Sequence, residues 1–238
     1  MGQTIKDCIL VERNVSKAIQ MLERRMTELS IAEGLDIVAS IKDDYNLMLN
    51  CFVHGMTDPK GEEVYKSLLK RVYREYCDVR LESIAKRRKA YIKCKQTAEW
   101  FERYAGSIRA SLEKYVQDAA MTSLLPEAER RKSAKKINLE HQHYMAGLFS
   151  YIVMSRQWGE DKVKAFKDML LTPVVDQNDV LLMVSALTMA LLTVFDVNKW
   201  IVLVAVYEKS SADAIRQRAL VGAMLTLPDE ESGLFEEI

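Results

Sequence analysis

Histidines close to carboxylates are the first residues of this sequence whose types could do chemistry. On a helix, Glu140 and His143 share a face as Glu-x-x-His, which is one half of a carboxylate-bridged di-iron site. The other half is missing, because the histidine elsewhere in the chain, His54, is preceded at that distance by Cys51. His141 and His143 are two positions apart and point away from each other on a helix. We therefore interpret both as polar residues of a helix surface.

Other catalytic and metal-binding patterns are incomplete or absent from the sequence. Cys51 and His54 form C-x-x-H, which is half of a zinc site, and no second pair has suitable spacing. The sequence contains neither GxGxxG nor GxxxxGKS/T, and no glycine-flanked serine suggests a Ser-His-Asp triad. We predict that the protein is not an enzyme, with no catalytic, cofactor-binding or metal-binding residues and no cofactor.

A concentration of cations is the feature with the clearest functional content. Residues 60–140 hold 20 Lys and Arg against 12 Asp and Glu, although the whole chain has a formal net charge of zero. Tyr91 and Trp100 lie among these cations and could stack on bases, while nearby glutamates could instead neutralise a solvated helix. The predicted basic stripe consists of Arg80, Lys86, Arg87, Arg88, Lys89, Lys93, Lys95, Arg130, Arg131, Lys132, Lys135 and Lys136.

Long helical patterns must position these cations in the amino-terminal part of the chain. Apolar residues at three- and four-residue spacing predict a helix from about Thr4 to Glu33, in which Glu12 alone interrupts the apolar pattern. They predict a second helix over about 36–53. A very long pattern follows over 62–117, for which we predict a break near 95–98, and another helix covers about 126–156. We assign residues 1–157 to an amino-terminal helical region of long helices and hairpins.

An internal repeat organises the rest of the chain. The segments 185–196 and 218–229 match at a fixed offset of 33 residues, which is typical of stacked helical pairs. Four shorter helices are predicted here, over about 161–171, 179–194, 198–209 and 212–225. The residues predicted to pack the repeats are Ala186, Leu187, Ala190, Leu192, Ala219, Leu220, Ala223 and Leu225.

The second repeat carries a family resemblance. Its residues follow the HEAT pattern of an Asp, a β-branched residue before an Arg, and then small residues. These are Asp213, Ile215, Arg216, Ala219, Gly222 and Ala223. Residues 160–229 thus resemble HEAT-like and TPR-like α-solenoids, including bacterial repeat proteins of this two-part build. The resemblance implies an all-α fold in which residues 158–238 form HEAT-like repeats, an α-α superhelix, behind the helices of residues 1–157.

The same offset leads to an expectation about the end of the chain. It pairs Trp200 with Gly233 and Ala205 with Ile238, so the second copy stops within its second helix. A solenoid normally ends in a polar cap. We therefore expect the chain to be the front part of a longer repeat protein.

Composition and length restrict the setting of the protein. Cys8, Cys51, Cys77 and Cys94 form no CxxC pair, and the first residues lack the apolar core of a secretory signal, so we expect free thiols in the cytoplasm. The apolar run 180–195 would span roughly 24 Å as a helix, less than a bilayer core of about 30 Å. We expect a buried helix there and no membrane span.

These observations favour a non-catalytic helical scaffold that binds another protein, whose identity the sequence leaves open. A nucleic-acid-binding helical protein that uses the cations at 80–95 and 130–136 is the alternative. The apolar seam of the first helix closes either on its own chain or on a second copy, so a homodimer is also open.

Overall fold

A computed structural model describes residues 4–55, 59–228 and 231–236, and these residues form helices without any β-strand. The all-α prediction is confirmed. The described residues divide into two compact units, one of residues 1–84 with 228–238 and the other of residues 85–227. The boundary predicted at 157/158 therefore lies inside the second unit, and residues 231–236 belong to the first.

Eleven α-helices and one short 3-10 helix follow one another through the described residues. They are α1 Ile5–Leu10, α2 Val15–Glu28, α3 Leu35–Val53, α4 Gly61–Arg87, α5 Lys89–Tyr104, α6 Ile108–Ser123, α7 Glu127–Met154, α8 Glu160–Leu170, α9 Gln177–Thr193, α10 Val197–Lys209, α11 Asp213–Leu225 and the 3-10 helix Glu231–Gly233.

Two of the long predicted helices are interrupted by residues with positive φ. Arg13 has a φ of 51° and separates α1 from α2, next to the interruption of the apolar pattern at Glu12. Asn14 then begins α2 by accepting a hydrogen bond from the Lys17 amide. Gly106, with a φ of 63°, similarly separates α5 from α6. The break predicted near 95–98 was wrong, because the chain breaks at Arg88 and at 105–107 instead.

The first unit contains an apolar core and buried polar contacts, among them one at Tyr73. Side chains from α1, α2 and α4 fill the core, and Tyr73 of α4 is buried among them. The Tyr73 hydroxyl donates a hydrogen bond to Glu231 over 2.9 Å, and Lys6 forms an ion pair with the same carboxylate. Burial, followed by the neighbouring Cys77 and Glu231, raises the pKa of Tyr73 above its ordinary value.

The carboxy-terminal residues do not form the helix that the repeat predicts. Glu231, Leu234 and Phe235 are buried in the first unit, and the Phe235 ring lies edge-on to Tyr73 with ring centroids 5.5 Å apart. Arg13 donates a hydrogen bond to the carbonyl oxygen of Gly233. Asp229 and Ile238, which the 33-residue offset pairs with Asp196 and Ala205, lie outside the described residues.

In the second unit, α5 and α6 follow one another along α7. Cys94 of α5 lies beside Ser150 of α7, and Phe101 of α5 contacts Gly147 of α7. Helices α5 and α7 therefore run in opposite directions. Further along, Tyr115 of α6 lies against His141. A shared core of α5 to α11 side chains, with Trp158 and Phe166 among them, joins these helices to the shorter ones that follow.

Helices α9 and α11 lie in direct contact and run in the same direction. The Arg218 guanidinium donates to the Ser185 hydroxyl over 3.1 Å, a contact between residues 33 positions apart. One turn on, a Cβ added at Gly222 would lie 2.3 Å from the Thr188 hydroxyl oxygen. His141 of α7 contacts Asp179 of α9, and Trp158 after α7 contacts Asp196 after α9, each 38 residues apart. Helices α7 and α9 therefore run in the same direction as well.

The close approach at Gly222 generates a prediction for stability. Gly222→Ala should lower the free energy of unfolding by about 1–3 kcal/mol, because the new methyl group has no space. The higher helix propensity of Ala, worth about 1 kcal/mol, offsets only part of this loss. Thr188→Ala in the same chain should recover most of the loss. Urea unfolding of both variants measures the coupling, and Gly61→Ala, where nothing lies within 4 Å, is the control. Equal losses in the single and double variants would contradict the contact.

Candidate interaction surface

A continuous set of apolar side chains covers the outer sides of α9 and α11. Their side chains are between 37% and 67% exposed, whereas the opposite sides of both helices are buried. Soluble chains rarely leave many large apolar side chains together on the surface without a partner. We call this surface the α9/α11 apolar face; it consists of Leu182, Met189, Leu192, Leu220, Val221, Met224 and Leu225.

The register of the two helices makes the face continuous. Ser185 and Arg218 are in contact, and Leu192 and Leu225 each lie seven residues further along the same side of their helices. Seven residues are about two helical turns, so these leucines flank the same groove. Val221 and Met224 then extend the apolar surface around α11.

The repeat-packing residues divide between the core and this face. Ala186, Leu187, Ala190, Ala219 and Ala223 are buried, in keeping with small side chains where helices approach closely. Leu192, Leu220 and Leu225, which the repeat also marks as packing residues, are instead exposed. Leu192 lies on the far side of α9 from Ala190, and Leu220 and Leu225 lie on the two borders of the exposed side of α11. The 33-residue pattern thus includes both packed and exposed positions.

A buried polar network holds the segment between α7 and α8 against the start of α10. The Asp196 carboxylate accepts hydrogen bonds from the Trp158 and Asn198 amides, and it lies 3.4 Å from the Lys199 ammonium. Lys199 also donates to the carbonyl oxygens of Ser155 and Arg156. Buried charges are tolerated only when they are satisfied in this way. The network fixes α10, on which α11 packs.

A second polar contact joins α7 to α9. Nε2 of His141 donates to the Asp179 carboxylate over 2.9 Å, and side-chain exposures of 11% and 9% show that both groups are nearly buried. The Tyr115 ring stacks on the imidazole with ring centroids 3.5 Å apart. Burial, and then the negative charges of Asp179 and Asp176, raises the pKa of Tyr115. The interpretation of His141 as a helix-surface residue was therefore wrong, whereas His143 is exposed.

The predicted basic residues do not meet on one surface of the second unit. Arg80 belongs to the first unit, whereas the cations from Lys86 to Lys95 lie at the α4–α5 break and in the first turns of α5. There, Cys94 lies beside Ser150 of α7. Lys132 is 18 residues from Ser150 along α7, or about 27 Å. Several cations also have local partners, since Arg130 and Arg131 pair with Glu127 and Lys136 with Glu140.

The cysteine and histidine of the C-x-x-H pattern lie at the end of α3. Cys51 lines an apolar cleft between α3 and α4 with a volume of about 1050 Å³, and Asp44 and Arg71 form an ion pair at its wall. His54 is exposed, with Nδ1 2.7 Å from the Asn50 carbonyl oxygen. Within residues 4–55, 59–228 and 231–236, no three His, Cys, Asp or Glu side chains are arranged to hold a metal ion.

Comparison with known proteins identified no similar protein. No protein-family model, no curated protein and no solved structure matches this chain. Among the described helices, none is long and apolar enough to cross a membrane.

Sequence reasoning missed the polar residues that support the face. In the sequence, Asp179 and Asp196 flank the apolar run 180–195, and nothing in the spacing of Lys199 distinguishes it from the other lysines. One signal was present: Asp179 and Asp196 follow His141 and Trp158 at the same separation of 38 residues. That separation differs from the 33-residue repeat offset, so the repeat pattern does not connect these residues.

The His141–Asp179 contact generates a prediction that a matched histidine can check. His141→Ala should lower the free energy of unfolding by about 1–3 kcal/mol at neutral pH, because the buried Asp179 carboxylate loses its hydrogen-bond donor. The second oxygen of Asp179 has no hydrogen-bond partner in the described part of the chain. His143→Ala, two residues away and exposed, should change stability little. Similar losses for both variants in urea unfolding would show that the contact contributes nothing specific.

Proposed function

We propose that this protein is a non-catalytic helical scaffold that binds a protein partner through the α9/α11 apolar face. The observation that carries the proposal is the face itself, with seven large apolar side chains on two adjacent helices. A buried core and satisfied polar contacts support it from below, so the apolar side chains are presented by rigid elements. Such surfaces bind protein partners through a few central anchors.

The proposed architecture of residues 127–225 is a short HEAT-like or TPR-like solenoid. Three features support it: α7, α9 and α11 run in the same direction, α8 packs on α10, and Ser185 contacts Arg218 at the repeat offset. In a solenoid each unit buries its apolar side against its neighbour. An apolar outer side on α11 is then a surface that another molecule can cover.

Binding of nucleic acid through the basic residues is the alternative. Exposed cations at Lys86 to Lys89 favour it, since four of them follow one another at the α4–α5 break. The distance along α7 to the second basic segment weighs against a single phosphate-binding stripe. Phosphate contacts would also make binding strongly dependent on salt.

A charge placed in the middle of the apolar face tests the proposed function. The double variant Val221→Glu with Met224→Glu should retain the thermal stability of the native chain, because both side chains are exposed. It should recover at least about tenfold less of any partner protein from native lysate, since buried interface anchors are each worth 2 kcal/mol or more. Quantitative mass spectrometry of the recovered proteins measures the difference.

Leu139→Glu is the matched control, because Leu139 is an exposed leucine of α7 outside the face. It should recover partners as well as the native chain does. Partners that bind the double variant equally well would contradict the proposal. Recovery of nucleic acid that is lost at high salt and after Lys86→Glu with Lys89→Glu would favour the alternative.

A further inference from the structure

The α9/α11 apolar face has one charge at its edge. Arg218 is exposed on α11, and Val221 and Leu225 follow it at three and seven residues, on the same side of the helix. Ser185, its contact on α9, lies between Leu182 and Met189. A cation therefore stands beside the groove that the apolar residues line.

Arg218 differs from its neighbour Arg216 in its partners. The Arg216 guanidinium lies 3.8 Å from the Asp213 carboxylate and 5.9 Å from the centre of the Tyr207 ring. Arg218 donates to the neutral Ser185 hydroxyl, which itself donates to the Leu181 carbonyl oxygen, and no carboxylate of the described residues pairs with Arg218. The guanidinium keeps donors that a carboxylate could accept in a bidentate manner.

We propose that the partner contributes an amphipathic helix with an acidic residue that pairs with Arg218, a refinement that rests on the proposed function. Charge complementarity selects the acidic residue, because Arg218 is the charged residue beside the groove. The groove walls are themselves helices, with Met189 and Leu192 on one side and Val221 and Leu225 on the other, and such grooves bind helices through residues at one- and two-turn spacing. Apolar side chains of the partner then lie three or four residues and seven residues away from the acidic residue, about one and two helical turns.

A displayed library of helical peptides tests this inference with a defined probe. The peptides have about 18 residues, enough to form a helix, with three apolar positions on one side and randomised positions elsewhere. Selection uses the full chain, and clones that bind the Val221→Glu, Met224→Glu variant are removed. Enriched sequences should carry Asp or Glu one or two turns from the apolar positions.

Synthetic versions of the enriched peptides then identify the role of Arg218. Arg218→Glu should weaken their binding by about tenfold, Arg218→Lys should weaken it much less, and a peptide with Lys in place of its acidic residue should regain binding to Arg218→Glu. Peptides that depend on Val221 and Met224 but not on Arg218 would overturn the acidic-helix inference and leave the proposed function standing. A selection that enriches no peptide with Asp or Glu near its apolar positions would overturn the inference as well.

Analytical sedimentation of the chain alone tests whether a second copy of the chain covers the α9/α11 apolar face. The native chain should remain monomeric at the concentration used for peptide binding. A dimer that the Val221→Glu, Met224→Glu variant abolishes would instead assign the face to a second copy of this chain and overturn the acidic-helix inference.

Discussion

The contact between Thr188 and Gly222 is the constraint on which the candidate surface depends. At this point α9 and α11 approach so closely that a methyl group on residue 222 would overlap the threonine hydroxyl. Because that hydroxyl donates to the Val184 carbonyl oxygen and Leu203 lies nearby, neither side can easily give way. The absence of a side chain at Gly222 thus determines which residues of α11 face the core and which face solvent.

Polar contacts hold the neighbouring helices of the second unit in position around α9 and α11. Asp196 and Lys199 fix the start of α10, while His141 and Asp179 fix α9 on α7. Each of these groups is nearly buried, and each would be costly to leave without a partner. The apolar face is consequently presented by helices that the core and two polar contacts position, and a partner would meet a surface that is already formed.

Much of the secondary structure was predictable, because apolar spacing and capping residues act locally. The predicted helices from 161–171 to 212–225 lie within a few residues of α8 to α11, and the 33-residue offset marks a real contact at Ser185 and Arg218. The breaks at Arg13 and Gly106 were missed, since a single positive φ hardly disturbs an apolar pattern. Exposure of Leu192 and Leu225 was also missed, because a repeat shows which positions are equivalent and not which of them are covered. The polar supports depend on contacts across 38 residues that no local pattern specifies.

A disulfide between positions 188 and 222 tests the central claim most directly, because it reports the distance between the two helices in solution. A Cβ at residue 222 would lie 3.4 Å from the Thr188 Cβ, close to the separation of about 3.8 Å in disulfides. The variant Thr188→Cys with Gly222→Cys should therefore form the bond readily under mild oxidation, as seen by mass spectrometry of the joined peptides. Thr188→Cys with Leu220→Cys, on the exposed side of α11, should not. Failure of the first pair to join, or equal joining of both, would contradict the packing of α11 on α9 and with it the α9/α11 apolar face.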